Sequence, residues 1–342
     1  MSKTPWTKYW VQSDEPFVPT AFTKKSHLQF DGSSPSMFNG NMDQRDRFRG
    51  CLLGLAVGDA VGASVEFRPR GSFKPVTDMT GGGRFRLAPG QWTDDTSMAL
   101  CLATSLVERR GFDPLDQMER YCRWVEKGYL SSTGKCFGLG RTIGLALGKF
   151  MKTRDPFAGS DNPKTAGNGC IMRLAPIPMF YFPDIDVTER FAVESSRTTH
   201  GAQECLDAIR LFARIIVRAL SGRPKVEVAI ADGDTFAGSP KIEAIARGDY
   251  RGKAEAEIRG SGYVVECLET AMWCFLSTDT FEKAILAATN LGDDADTTAA
   301  VCGQVAGAHY GESGIPASWL DQLAMRQEIG ALAEQLAAGQ PA

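Results

Sequence analysis

No C-x-x-C pair occurs among the nine cysteines of this 342-residue chain, an odd number scattered through apolar segments. That pattern speaks against a disulfide framework and a thiolate zinc site, and for reduced core thiols in a cytoplasmic protein. The opening M-S-K-T-P-W-T-K-Y-W has no apolar signal core, and no apolar run approaches a membrane span. The chain therefore reads as soluble and not exported through a cleaved signal. Charge of one sign is missing too. A formal net charge of −3 and a pI near 5.8 give no global field for nucleic acid or an anionic membrane, so any anionic ligand must be caught locally. Strand patterns are scarce: only Val226 to Ile230 resembles a strand. With 43% apolar residues and helical periodicity elsewhere, the expectation is a compact all-α domain rather than a Rossmann or barrel architecture.

Residues 1–43 read as an arm. They carry Pro5, Pro16, Pro19 and Pro35 among Ser, Thr, Asn and Gly, with no sustained period. The same stretch holds Trp6, Tyr9, Trp10, Phe17, Phe22, Phe30 and Phe38, rings that solvated linkers seldom carry. Two readings stay open: the arm folds back on its own domain, or it docks on a partner through aromatic anchors.

The domain proper is expected over 44–338. In D-R-F-R-G-C-L-L-G-L-A-V-G-D-A-V-G-A, glycines recur every four residues at Gly50, Gly54, Gly58 and Gly62. Glycine inside a helix costs about 1 kcal/mol relative to alanine, so four on one face call for compensation by close backbone approach. Gly303, Gly307 and Gly311 repeat the spacing. Two small-faced helices packed at the domain centre follow from this. Further helical patterns run over Met98 to Glu108, Leu115 to Lys127, a stretch ending near Phe150, Gln203 to Leu220, the segment starting at Tyr263, Phe281 to Thr289, and Trp319 to Leu336. A polar segment, Asp232 to Gly262, interrupts them, and its Asp232-Gly233-Asp234 reads as a turn.

Two acidic clusters stand before apolar helical runs. Asn290 to Thr298 reads N-L-G-D-D-A-D-T-T, and Gln91 to Ser97 reads Q-W-T-D-D-T-S. Helix N-capping accounts for either one alone, since Asp and Thr suit that position and acids suit the helix dipole. Two of them together point to one site. Oxygen donors without His or Cys fit hard cations such as Mg, Mn or Ca, and four or five aspartates at one point repel unless cations neutralise them.

Other candidate elements are weaker singly. Glu66 follows the first glycine helix in V-E-F-R-P-R, and alone would read as a surface charge. Gly167-Asn168-Gly169 is a turn whose backbone N–H groups can hold phosphate. The glycines of Ser131 to Thr142 lack the spacing of a phosphate loop, and His200 in T-H-G stands where a helix cap would.

As an ordered set, G-D-A-V-G-A-S-V-E-F, Q-W-T-D-D-T-S-M-A-L, G-N-G-C-I-M-R, T-H-G, R-G-S-G-Y-V-V-E and L-G-D-D-A-D-T-T-A-A closely resemble the ADP-ribosylglycohydrolase family, above all its dinitrogenase-reductase-activating branch, from about Arg45 to Leu336. The resemblance implies an orthogonal all-α bundle with two divalent cations, Mg or Mn, and an enzyme that removes ADP-ribose from a modified protein side chain, usually arginine. It implies metal ligation by Thr93, Asp94, Asp95, Asp294, Asp296 and Thr297, with Asp293 as an outer-sphere candidate. Glu66 becomes the acid/base near the anomeric carbon, Gly167, Asn168 and Gly169 the diphosphate loop, and His200 and Tyr263 ligand contacts. One departure stands out. Relatives of this branch often read C-F-D-I-G where this chain has Cys136-Phe137-Gly138-Leu139-Gly140, so a carboxylate beside the ligand is missing. Some members resemble this chain in serving as immunity proteins against ADP-ribosylating toxins. A second reading follows from that: an immunity protein acting mainly by occluding a toxin's active site with the aromatic arm. A third, a metal phosphohydrolase acting on a nucleotide, would release phosphate instead of ADP-ribose.

Overall fold

The computed structural model describes residues 43–230, 233 and 235–339; the arm up to residue 42, and Asp232 and Asp234 of the expected turn, lie outside them. Fourteen α-helices follow in order: α1 Gln44–Gly62, α2 Asp94–Arg109, α3 Pro114–Lys127, α4 Arg141–Thr153, α5 Pro176–Tyr181, α6 Ile185–Arg197, α7 Gln203–Leu220, α8 Lys225–Ile230, α9 Pro240–Arg247, α10 Val264–Ser277, α11 Phe281–Asn290, α12 Ala295–Tyr310, α13 Ala317–Gln322 and α14 Arg326–Ala337. Among the described residues the only β pairings are isolated bridges. None of the described helices is long and apolar enough to cross a membrane.

At the centre, α1 and α12 run antiparallel, backbone against backbone. A Cβ at Gly50 would lie 2.3 Å from the Gly307 carbonyl oxygen, at Gly54 2.4 Å from that of Gly303, at Gly58 2.1 Å from that of Ala299, and at Gly62 2.4 Å from that of Ala295. No side chain fits there. Every residue of α12 from Ala295 to Ala308 is buried, so its polar side chains must be met inside the protein, as Gln304 is by the backbone of Ala175, Ile171 and Met172. Helices α2, α7, α10, α11 and α14 pack around this pair. Because the pair is antiparallel, the chain leaving α1 at Gly62 arrives beside the start of α12. The bridge between Arg68 and Asp293 ties the two ends together, with Phe67 N–H donating to the Asp293 carbonyl at 2.7 Å and Asp293 N–H to that of Arg68 at 2.9 Å.

Three expectations need correction. Val226 to Ile230 is helical within α8: Val226 and Val228 would share one face of a strand, but Val226 is 56% exposed and Val228 fully buried. Pro224 opens the turn, its carbonyl accepting from Val228 N–H at 2.9 Å. The run from Trp319 to Leu336 is two helices, broken where Ala324 N–H donates to the Gly90 carbonyl and the Ala324 carbonyl accepts from Trp92 Nε1. Helices also form where none was expected. Prolines hide α5 in the sequence, and α9 sits inside the polar segment.

The central contact makes a paired prediction. Gly307→Ala, whose Cβ would sit 1.9 Å from the Gly50 carbonyl oxygen, should lower unfolding free energy by about 1–3 kcal/mol or more through overpacking. Gly148→Ala, in α4 with nothing within 4 Å of the added carbon, should raise it by up to about 1 kcal/mol. Urea midpoints of the two variants against wild type decide this.

Candidate active site

Thr93 and Asp294 occupy the N-cap positions of α2 and α12, yet neither side chain caps its helix. Capping, sufficient to explain each cluster in the sequence, is thus not what these residues do. Thr93 instead turns to Asp59, a fully buried carboxylate near the C-terminal end of α1. Asp59 Oδ1 accepts from Thr93 N–H at 2.8 Å and Oγ1 at 2.9 Å, and Oδ2 accepts from Thr96 N–H at 3.0 Å and Oγ1 at 2.7 Å.

A hydroxyl has one proton. With that proton given to Asp59, Thr93 Oγ1 presents only lone pairs to Asp95 Oδ2 and Asp296 Oδ2, each 3.3 Å away. Three electron-rich oxygens so placed repel unless a cation or a proton lies among them. Asp95 and Asp296 are almost fully buried, and Oδ1 of each, like Oε2 of Glu66, is buried without a hydrogen-bond partner. Unpaired buried carboxylate oxygens are costly, so the donor set fits hard divalent cations. Among the described residues no three His, Cys, Asp or Glu side chains form a metal cage by themselves; the convergence here is carboxylate, hydroxyl, carboxylate. Thr297 stands within hydrogen-bonding reach of Asp95, and Asp294 Oδ2 accepts from Asn168 Nδ2 at 2.7 Å. Asp293 turns away: its backbone adopts φ +55° and its carboxylate faces Arg259 Nε at 3.6 Å.

Burial, then the charge of Asp294, Asp94 and Asp59, pushes Glu66 up to about 9, with Arg84 opposing. Burial also raises Asp94, where Asp59 and Asp294 add to it, and Asp95 and Asp296, where crowding by the same set of carboxylates adds to it. All of these groups hold protons more tightly than isolated carboxylates do.

Gly167, Asn168 and Gly169 meet the cluster through Asn168. Their loop is pinned by the Gly167–Tyr263 bridge and by Asn168 N–H donating to the Gly262 carbonyl at 3.0 Å. His200 lies against it, with Nε2 3.4 Å and 3.1 Å from where a Cβ would stand on Gly167 and Gly169. Buried Arg173 donates to the Gly169 carbonyl at 2.7 Å and to Thr199 Oγ1 at 2.6 Å. Thr199 Oγ1 also lies 2.8 Å from His200 Nδ1; with a second lone pair beside the one that accepts from Arg173, the hydroxyl can donate to that nitrogen or accept from it. Nε2 is the ring nitrogen that faces the loop. Tyr263 is half-buried; its hydroxyl donates to Glu204 and accepts from Lys241 Nζ at 2.7 Å.

Asp59, Arg173, Glu204 and Lys241 escaped the sequence reading. Asp59 alone carried a signal, as the one carboxylate inside an apolar run that had to be buried and therefore satisfied. The helical spacing of α7 and the polar run before α10 say nothing of what Glu204 and Lys241 touch.

Residues 40–342 match the family described as ADP-ribosylglycohydrolase. An ADP-ribosylarginine hydrolase Tri1 of Serratia proteamaculans is 40% identical over 94% of this chain and 87% of its own length, and one of Pseudomonas putida 43% over 85% and 78%. An ADP-ribosyl-[dinitrogen reductase] glycohydrolase of Rhodospirillum rubrum is 32% identical over 83% and 92%. A solved ADP-ribosylglycohydrolase-related protein complex contains a chain 43% identical that superposes with a TM-score of 0.78, over 87% of this chain and 99% of that one.

The His200 arrangement has a pH consequence. Burial, reinforced by Arg173, pushes His200 down to about 3 from 6.5. An imidazole that protonates near 6.5 unfolded but near 3 folded contributes stability that is present above the first value and is lost as pH falls toward the second. The His200 ring protons should therefore not titrate by NMR above about pH 5. In His200→Gln the urea midpoint should fall less steeply between about pH 6.5 and 4 than in wild type. A ring titrating near 6 would contradict the buried, neutral imidazole.

Proposed function

We propose, for a chain that belongs to the ADP-ribosylglycohydrolase family, that it hydrolyses ADP-ribose from modified arginine side chains in the cytoplasm, reversing the action of an ADP-ribosyltransferase toxin and so giving immunity to it. Support comes from the two Tri1 relatives, whose names state the arginine linkage, and from one observation above the rest: Asp95 Oδ2 and Asp296 Oδ2 converge on Thr93 Oγ1, while Oδ1 of both aspartates and Oε2 of Glu66 are buried without a partner. Occlusion of a toxin by the arm concerns residues outside the described ones and forms no part of this proposal.

Thr93, Asp94, Asp95, Asp294, Asp296 and Thr297 would hold two divalent cations, Mg or Mn. When bound, these supply positive charge that balances the carboxylates and favours oxygen ligands such as ribose hydroxyls and water. The chain's own groups do the rest. The N–H groups of Gly167 and Asn168 go to the Thr165 and Gly262 carbonyls, so the Gly169 N–H, with the His200 ring beside it, is the loop's candidate for a diphosphate, and Tyr263 pairs with the same loop through its backbone. The bond to be broken joins the anomeric carbon to a guanidine nitrogen and passes through an oxocarbenium-like state. Glu66, whose carboxyl is disposed by burial and the neighbouring carboxylates to hold a proton, would give one to the leaving guanidine and then take one from the attacking water.

Release of free ADP-ribose from an arginine-ADP-ribosylated protein tests the reading. With Mg or Mn present, wild type should release it and chelator should stop it. Asp294→Ala/Asp296→Ala should abolish release, and Glu66→Gln should slow it about 100-fold or more while still binding ADP-ribose. A well-folded wild type inert with both cations would sink the proposal, and phosphate in place of ADP-ribose would favour a phosphohydrolase.

Cation binding should also show in stability. A carboxyl raised above its ordinary value, 3.8 for Asp, contributes stability below that pH, and the contribution is lost as pH rises through its folded value. Cations that bind only the folded cluster offset that loss. At about 100 times its Kd, Mg or Mn should stabilise wild type by about 2.7 kcal/mol near neutral pH, with a raised Tm. The effect should shrink as protons compete at lower pH, and vanish in Asp294→Ala/Asp296→Ala.

A further inference from the structure

Beside Glu66 and Asp94 lies a surface that the proposed chemistry leaves unused. Phe67, next to Glu66, is 42% exposed and held at φ +59° by its bond to Asp293. Few bulky residues adopt that conformation, and where the surroundings enforce it the position merits a functional reading. The Arg84 guanidinium stacks 5.5 Å from the Phe67 ring centroid, and its charge reaches Glu66. Phe85 lies 5.0 Å from Phe137, and Phe137 precedes Gly138, which abuts the Asp94 carboxylate. Arg68 stacks on Phe73 at 5.3 Å.

This rim is built rather than loose. Gly82 and Leu87 exchange backbone hydrogen bonds at 2.7 and 2.9 Å, and Gly83 packs so closely on the Ala63 carbonyl that a Cβ would lie 2.0 Å from it. The turn between them presents Arg84 and Arg86 to solvent. From 67 to 86 the chain has Arg68, Arg70, Lys74, Arg84 and Arg86 against one carboxylate, Asp78, which bonds Trp319 Nε1. Arg70 is engaged with the carbonyls of Leu291, Glu255 and Ile258. Arg68, Arg84 and Arg86 make no ion pair among the described residues, in a protein whose overall charge is negative.

We propose that this rim is the acceptor-docking surface, and that it selects modified arginines set in acidic protein surface. The inference rests on the hydrolase reading. The 167–169 loop reaches the cluster at Asp294, whereas the rim reaches it at Glu66 and Asp94. A ligand lying along the loop with its anomeric carbon at Glu66 must therefore lead its acceptor out across Phe67, Arg84 and Phe85. Aromatic faces suit the departing guanidinium, and the arginines suit carboxylates around it.

Two arginine-ADP-ribosylated synthetic peptides, one with Asp and Glu flanking the modified residue and one with Lys, test this beside ADP-ribosylated free arginine. At low salt, wild type should show a KM for the acidic peptide at least about ten-fold below that for the basic one, a gap that closes as salt rises. Arg68→Ser/Arg86→Ser should erase the gap while turning over ADP-ribosylated arginine at the wild-type rate. Equal KM values in wild type, a gap that survives the double variant, or equal loss on all three substrates would each overturn the proposal. Peptide binding to Glu66→Gln reads the rim without turnover, so an inert wild type would count against the hydrolase while charge-dependent binding still decides the rim.

Discussion

The antiparallel contact of α1 with α12 is the constraint from which the site follows. Side chains on that face would hold the helices apart; glycine and alanine let the backbones touch along four successive turns. The direction matters as much as the closeness. Antiparallel packing brings the end of α1, with Glu66 beyond it, to the beginning of α12, where Asp294 and Asp296 stand. A lengthening of the spacing by one methyl group would be felt at both ends, because cores of this density transmit small displacements.

Within that frame, Asp59 carries the second cluster to the first. Its four hydrogen bonds clamp the start of α2 against α1, and they also decide which way the Thr93 proton points. A structural bond thereby sets the electronic character of a candidate ligand. As ionised groups the carboxylates cannot stabilise the fold, since their charges are buried and crowded; the proposed cations would, on binding, remove that repulsion.

Helices with an uninterrupted 3.6-residue period were legible in the sequence, and α7 appears over the span read for it, Gln203–Leu220. The glycine repeats foretold the central pair, since a costly pattern repeated at four-residue spacing needs a tertiary reason. The gathering of the two acidic clusters was legible in their likeness: capping accounts for either one alone, but two such clusters point to one site. What failed was local. In α8 a six-residue helix shows too little of either period, and tertiary burial of Val228 decided it. The break before α14 comes from a hydrogen bond to Gly90, some two hundred residues away, which no local pattern records. Partners such as Arg173 for the 167–169 loop, or Glu204 and Lys241 for Tyr263, are facts of packing. Residue type alone left them indistinguishable from other surface or core polar groups.

Gly138 shows how far a missing residue can mislead when only letters are compared. Its carboxylate-bearing counterpart in similar sequences makes the glycine look like a loss. Here the backbone at 138 adopts φ +77°, the region that favours glycine, and a Cβ would stand 2.3 Å from Asp94 Oδ1. The volume beside the cluster is already taken by a carboxylate, that of Asp94. An aspartate at 138 would have to displace it, straining the backbone and adding another negative charge to a group that already resists ionisation. In this chain the glycine is therefore the residue that lets Asp94 stand where it does.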